Sequence, residues 1–376
     1  MNKKIPELLI IIVLFVSPLT RTMWSGLVLI PIILIAFFLA YPFRVQKIFS
    51  LILALIGGGV FSSFFLATYP ANSIAIYTAT LAVCLAIAVQ AIIQQKKNKL
   101  IFTIMLLGCF TLYSQWGILQ FIVQHDVGMS VIGESILHQN IHGVASFYIG
   151  SEKFIRAYGP FSHANIFGGV LLLGIILLYK YQITFKNTFF TQGILFILTL
   201  GILVSFSRTA LAGLMGIGLF FAYKHKNKLH LLVPILLTAA LFIPLISYRS
   251  VDSHSTSTSE RLIGLVWFEN MISIETSIRG LGLGNYPQAL MNHLEINAIQ
   301  HTTWNIAPIH SVPLVLFSEL GIIVCTLLII ACIRFRIIQK RLIFIVLIPA
   351  LLLDHYFVTQ LAPFLFLIVS ANLVVQ

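Results

Sequence analysis

The sequence predicts an all-α fold: a polytopic membrane helical bundle of about twelve transmembrane helices, with two long loops on one side. Three observations predict it. First, 59% of the 376 residues are hydrophobic and only 9% are charged, against about 25% charged in a soluble domain. Second, the mean hydropathy is +1.00, more apolar surface than a soluble chain of this size hides. Third, apolar runs of about 20 residues, each long enough to cross a hydrocarbon core, recur from one end to the other.

The runs cover 6–20, 22–43, 48–69, 72–94, 100–124, 162–179, 189–206, 209–223, 229–248, 311–333, 342–353 and 360–376. The first begins after Lys3-Lys4 and resembles a signal peptide. It ends in Ser17-Pro18-Leu19-Thr20-Arg21, with no small-x-small cleavage site, and is expected to stay as the first helix. The first, eighth and eleventh runs are short for a span. The whole chain, 1–376, reads as a single transmembrane domain.

Basic clusters set the orientation. Lys3/Lys4, Arg44/Lys47, Lys96/Lys97/Lys99, Lys180/Lys186, Lys224/Lys226/Lys228 and Arg334/Arg336/Lys340/Arg341 hold 16 of the 23 Lys and Arg residues. They fall in every second loop, so the rule that cytoplasmic loops are basic puts both termini in the cytoplasm. The net charge of +12 is thereby assigned to topology rather than to nucleic acid. The four cysteines (Cys84, Cys109, Cys325, Cys332) all lie inside apolar runs and have no metal or disulfide spacing.

The opposite, extracytoplasmic side carries the two long loops, 125–161 and 249–310. Most acidic residues and nine of the eleven histidines lie on that side. Its basic residues are Arg21, Arg156, Arg208, Arg249, Arg261 and Arg279, with Lys153 as the single lysine. A bias to arginine suggests the planar fork that grips phosphate or carboxylate oxygens. The second loop opens with the polar stretch Ser250 to Ser259. The apolar stretch Glu260 to Ile274 then reads as a helix lying on the membrane or packed on the bundle.

Five constellations are candidates for chemistry. Arg156-Ala-Tyr-Gly159-Pro160-Phe161-Ser-His163-Ala-Asn165 pairs an anion-binding arginine with a turn and with an Asn suited to a helix start; the plain alternative is a loop, a turn and a cap. Ser205-Phe-Ser207-Arg208-Thr209-Ala210 is a tight turn between two spans that sets Arg208 at membrane depth, where a charge suggests function or snorkelling. Glu260-Arg261 with Trp267 precedes Arg279-Gly280-Leu-Gly282-Leu-Gly284-Asn285-Tyr286. A nucleotide fingerprint needs a strand before it and a helix after it, so these glycines read as backbone turning close to a ligand or as a flexible loop. His310 stands before a span that contains Glu319-Leu-Gly321, and an imidazole there moves protons near neutral pH. Glu319 lies about 13 Å along a helix axis from it, so Glu319 reads as an inward-facing structural group. Asp354-His355-Tyr356 is either a polar turn or a partner for His310. His138 and His142 have metal spacing without a third ligand, and no metal is expected.

Taken in order, these pieces resemble the O-antigen ligase and O-antigen polymerase family of bacterial polytopic glycosyltransferases. The matching residues are Arg156-x-x-Gly159-x-Phe161-x-x-x-Asn165, Ser207-Arg208-Thr209-Ala210, Arg261 with Trp267, Gly280-x-Gly282-x-Gly284-Asn285, His310 with Glu319-x-Gly321, and Asp354-His355-Tyr356, over roughly 150–360. Ala164, Ser311 and Val324 depart from the Pro, Asn and Gly common in the family.

The resemblance implies a GT-C-like membrane fold in a bacterial inner membrane, with an extracytoplasmic active site. It implies metal-independent transfer, without a cofactor, of a glycan from a polyprenyl diphosphate carrier to the hydroxyl of a glycan or lipid acceptor. Arg208 and Arg261 would bind the diphosphate, helped by Arg156 and Arg279. His310 would activate the acceptor, Asp354 would orient or assist it, and Asn165 and Glu319 would support the substrate. The rival expectation is a transporter or flippase of lipid-linked glycans.

Overall fold

The computed structural model describes residues 96–130, 134–141, 143–149, 151–181, 188–224, 257–297 and 309–334, with single positions 236, 240, 299, 354 and 370. The runs at 6–20, 22–43, 48–69, 72–94, 229–248, 342–353 and 360–376 lie outside the described residues, those single positions apart. Arg21, Arg249, the stretch Ser250 to Thr256, and His355 and Tyr356 lie outside them too.

The described chain begins with helix α1 (Lys96–Val123), followed by a hairpin of β1 (Ser146–Ile149) and β2 (Glu152–Ile155). Three helices come next: α2 (Ala164–Tyr181), α3 (Thr188–Val204) and α4 (Arg208–Lys224). After them stand α5 (Ser257–Met271), α6 (Ile274–Arg279), α7 (Tyr286–Ile296) and α8 (Val312–Arg334). Leu100–Val123 is the one described helical stretch long and apolar enough to cross a membrane. Shorter apolar helices run over Ala164–Lys180, Phe189–Val204, Arg208–Phe220, Leu262–Met271 and Val312–Leu327. At 1.5 Å per residue, α2 to α4 reach about 26 Å each.

Two packing groups organise these elements. In the first, α1 packs on α2 and α3, and α2 also packs on α4. Its apolar centre includes Phe102, Leu106, Phe110, Val170, Leu195 and Leu198, all at most 1% exposed. Gly168 permits the close crossing of α2 and α4: a methyl group there would stand 2.6 Å from Ser205 Oγ and 2.9 Å from Ala210 Cβ. In the second group, Trp267, Phe268 and Met271 of α5 close over Leu281, Tyr286, Leu290, Leu294 and Val315.

The first long loop departs from an all-helical reading. β1 and β2 pair antiparallel, with Ser146 opposite Ile155 and Ile149 opposite Glu152. Phe147 and Phe154 stack at 5.8 Å, and Phe147 lies 4.1 Å from Phe206 and 6.5 Å from Phe121. These rings fasten the hairpin to the end of α1 and to the turn after α3. Strands this short leave almost no periodic signal, so the sequence did not announce them.

The glycine-rich segment has a different task from the one expected. Helix α8 is broken at Gly321 (φ 75°, ψ 168°), and Gly280 (φ 79°) crosses it at the break. A methyl on Gly280 would lie 2.7 Å from Gly321 N, and one on Gly321 would lie 2.8 Å from Gly280 N. Leu281 N–H and Gly282 N–H donate to the carbonyls of Ser318 and Glu319 (2.8 and 2.9 Å). The break turns those carbonyls over to the loop. Glycine is required because two backbones touch, and the segment is packed rather than loose.

Candidate functional site

The turn between α3 and α4 is the hub. Val204 ends α3, and the chain reverses through Phe206 at φ 47°, a left-handed conformation rare for a bulky residue. Phe206 is 1% exposed and is held in that conformation by the aromatic cluster. Ser205 Oγ donates to Ile202 O (2.6 Å) and accepts from Ser207 N–H (3.2 Å). Ser207 then caps α4: its Oγ accepts from Ala210 N–H (3.3 Å) and its carbonyl from Leu211 N–H (2.9 Å).

Arg156 bolts the first loop to this turn from behind. It is 4% exposed. Its Nε donates to Ser205 O (2.7 Å) and its Nη2 to Asn165 Oδ1 (2.5 Å), while Ala157 N–H donates to Val204 O (3.0 Å). Asn165 is therefore an Arg156 partner inside α2 rather than a cap. His163 takes the capping position, with Nδ1 accepting from Asn165 N–H (3.1 Å). Arg208, by contrast, is the first residue of α4 and is exposed.

From the turn a polar chain runs into the second group. Thr209 Oγ1 lies 3.0 Å from Ser207 Oγ and donates to Asp354 Oδ2 (3.2 Å). The other carboxylate oxygen, Oδ1, faces His310 Nδ1 at 3.5 Å. Asp354 is 3% exposed, whereas the His310 side chain is 36% exposed. A ring whose Nδ1 faces the carboxylate turns Nε2 the other way. At 3.5 Å the two groups are in electrostatic contact, close enough for the carboxylate to orient the ring. His310 precedes α8, which starts at Val312, so the ring is set by the chain leading into the helix.

The remaining predicted residues are distributed as follows. Glu319, 5% exposed, accepts from the backbone N–H groups of Gly284 and Tyr286 at the start of α7, the latter at 3.4 Å. It ties α7 to the broken helix. Arg279 faces solvent in an ion pair with Glu275 (3.0 Å) one turn away, and is not drawn into the His310–Asp354 chain. Arg261 lies on α5, and its side chain is outside the described atoms. Tyr286 is buried, which pushes its phenol above the ordinary range and keeps it neutral.

Sequence reasoning missed a second buried network. Glu134 Oε1 accepts from Trp116 Nε1 (2.9 Å), Gln120 Nε2 (2.7 Å) and Val127 N–H (2.9 Å), and its Oε2 accepts from Met129 N–H (2.7 Å). Gln120 Oε1 accepts from Tyr158 N–H (3.1 Å) and Gly159 N–H (2.8 Å). Gln124 Oε1 accepts from Ile155 N–H (2.7 Å). Polar side chains at the end of α1 and just past it thus hold the backbone on both sides of Arg156. The available signal was Trp116, Gln120 and Gln124 at i, i+4 and i+8 near the outer end of an apolar run. Comparison of the chain with family models, with curated proteins and with solved structures finds no match in any of the three.

Proposed function

We propose that the chain is an O-antigen ligase-like glycosyltransferase of the bacterial inner membrane, working as a ligase or a polymerase in cell-surface polysaccharide assembly. It moves a glycan from a polyprenyl diphosphate carrier to an acceptor hydroxyl on the extracytoplasmic face. The observation that carries this reading is the buried Asp354 carboxylate set between His310 Nδ1 and Thr209 Oγ1, the residue beside exposed Arg208. Three sequence-distant segments meet there through Thr209, His310 and Asp354, and Arg208 adjoins Thr209 in sequence at the start of α4.

The chemistry follows from the charges. The acceptor oxygen attacks the anomeric carbon as the bond to the diphosphate oxygen breaks. The hydroxyl proton goes to His310 Nε2, and the imidazolium is stabilised by Asp354. The electron pair leaves with the polyprenyl diphosphate, whose negative charge grows in the transition state. Arg208 and Arg261 bind that charge, stabilising the transition state more than the ground state. Arg156 and Asn165 act by holding the turn that presents Arg208. Glu319 fixes α7, and Arg279, exposed in the last turn of α6, would help to hold the diphosphate. The energy resides in the lipid-linked diphosphate, so transfer requires no nucleotide, and the arginines do for the leaving diphosphate what a metal ion would otherwise do.

The test is purified protein in nanodiscs with a lipid-linked oligosaccharide and an acceptor glycolipid, without ATP and with EDTA. Formation of the joined product with release of polyprenyl diphosphate is expected. Movement of intact lipid-linked oligosaccharide across the bilayer, with no joined product, would assign the chain to the flippase class instead.

A further inference from the structure

The hydrogen bonds of Thr209 and Ser207 link both hydroxyls to the Asp354 carboxylate. A hydroxyl has one proton. Thr209 Oγ1 donates its proton to Asp354 Oδ2 (3.2 Å), so in the 3.0 Å contact with Ser207 the proton must come from Ser207. Ser207 Oγ in turn accepts from Ala210 N–H (3.3 Å), in the first turn of α4. The chain has a single direction: Ala210 N–H to Ser207 Oγ–H, to Thr209 Oγ1–H, to the carboxylate. Ser207 and Thr209 are both at most 2% exposed and Asp354 is 3% exposed, so the three groups meet away from bulk solvent. Successive bonds pointing one way polarise one another, and this chain starts from the positive end of a 17-residue helix.

We infer that Ser207 and Thr209 are positioning residues that deliver the α4 N-terminus to Asp354, holding Oδ2 so that the ionised Oδ1 faces His310. This rests on the proposed transferase reading. One turn would then serve both halves of the reaction: Arg208 is exposed at the helix start, available to the leaving group, and its two neighbours face the buried carboxylate. The arrangement also accounts for the residue types. Thr209 has the hydroxyl that the carboxylate needs, and Ser207 has to cap the helix and donate at once.

The experiment compares Thr209→Val, Thr209→Ser, Ser207→Ala and His310→Ala in nanodiscs, using undecaprenyl-diphosphate-linked oligosaccharide as donor. Valine keeps the shape of threonine without the hydroxyl. Its kcat is expected to fall about tenfold, the usual scale for losing one hydrogen bond to a charge, with KM for the donor within about twofold. Thr209→Ser is expected to restore kcat, and Ser207→Ala to show a smaller loss of the same kind. Wild-type kcat in Thr209→Val overturns the inference, as does a loss that serine does not rescue or one carried by KM alone. Should Thr209→Val not reach the membrane, Ser207→Ala decides by the same kcat-against-KM criterion. A dead His310→Ala beside a normal Thr209→Val sinks the inference and leaves the transferase reading standing. Normal transfer by His310→Ala sinks both.

Discussion

Asp354 is a carboxylate with almost no exposure, and such a group persists only where partners replace the water it has lost. The described partners are a hydroxyl on one oxygen and an imidazole on the other. Arg208 and Arg156 show the opposite division of labour for one residue type. Arg156 uses its fork on Ser205 and Asn165, whereas Arg208 stands exposed at the helix start. Arg208→Lys is therefore expected to lower transfer at least about tenfold without lowering the melting temperature, because a point charge does not replace the fork. Arg156→Lys is expected to lower both. Thermal melts of the purified variants beside their transfer rates separate the two. Glu319→Ala strands the two amides of Gly284 and Tyr286 and is expected to cost about 2–4 kcal/mol; Glu319→Gln, which keeps an acceptor, is expected to cost less.

At the scale of elements, most helix positions among the described residues were legible and most contacts were not. The runs at 100–124, 162–179, 189–206, 209–223 and 311–333 coincide within a few residues with α1, α2, α3, α4 and α8, because apolar length alone sets such a helix. The break at Gly321 was hidden inside one of those runs. Apolarity continues across it, and its cause is a partner 41 residues earlier, Gly280. Gln120, Gln124 and Glu134 were passed over for a related reason: one Gln in an apolar helix looks tolerated until the loop it binds is known. The roles proposed for Arg208, His310 and Asp354 rest on the rule that a charged or titratable group at the end of a span has few structural excuses. Substitution of either Gly280 or Gly321 by Ala drives a methyl group into the other strand's backbone at a positive φ. A loss of at least about 2 kcal/mol is expected, read as a lower melting temperature. Gly168→Ala is expected to act on the site instead, by pushing α2 away from Ser205 and Ala210.

At the scale of the whole molecule, the two packing groups of described helices meet through Thr209, Asp354 and His310. The proposed transfer chemistry at such a seam would tie activity to the relative placement of the groups. The orientation proposed from the basic clusters is checked by single-cysteine labelling in intact cells, with Cys84, Cys109, Cys325 and Cys332 replaced. Cysteines at exposed Glu152 and Gln288 are expected to react with an impermeant maleimide. A cysteine at Lys226 is expected to react only after permeabilisation. The reverse pattern would put the site on the nucleotide-rich side and remove the reason for a lipid-linked donor. The central claim is that His310 takes the acceptor's proton while a lipid diphosphate departs, and the direct measurement is product formation by His310→Ala at wild-type protein level, with lipid-linked oligosaccharide and acceptor supplied. The account predicts loss of product to the background of a protein-free reaction; product formed at the wild-type rate would contradict it.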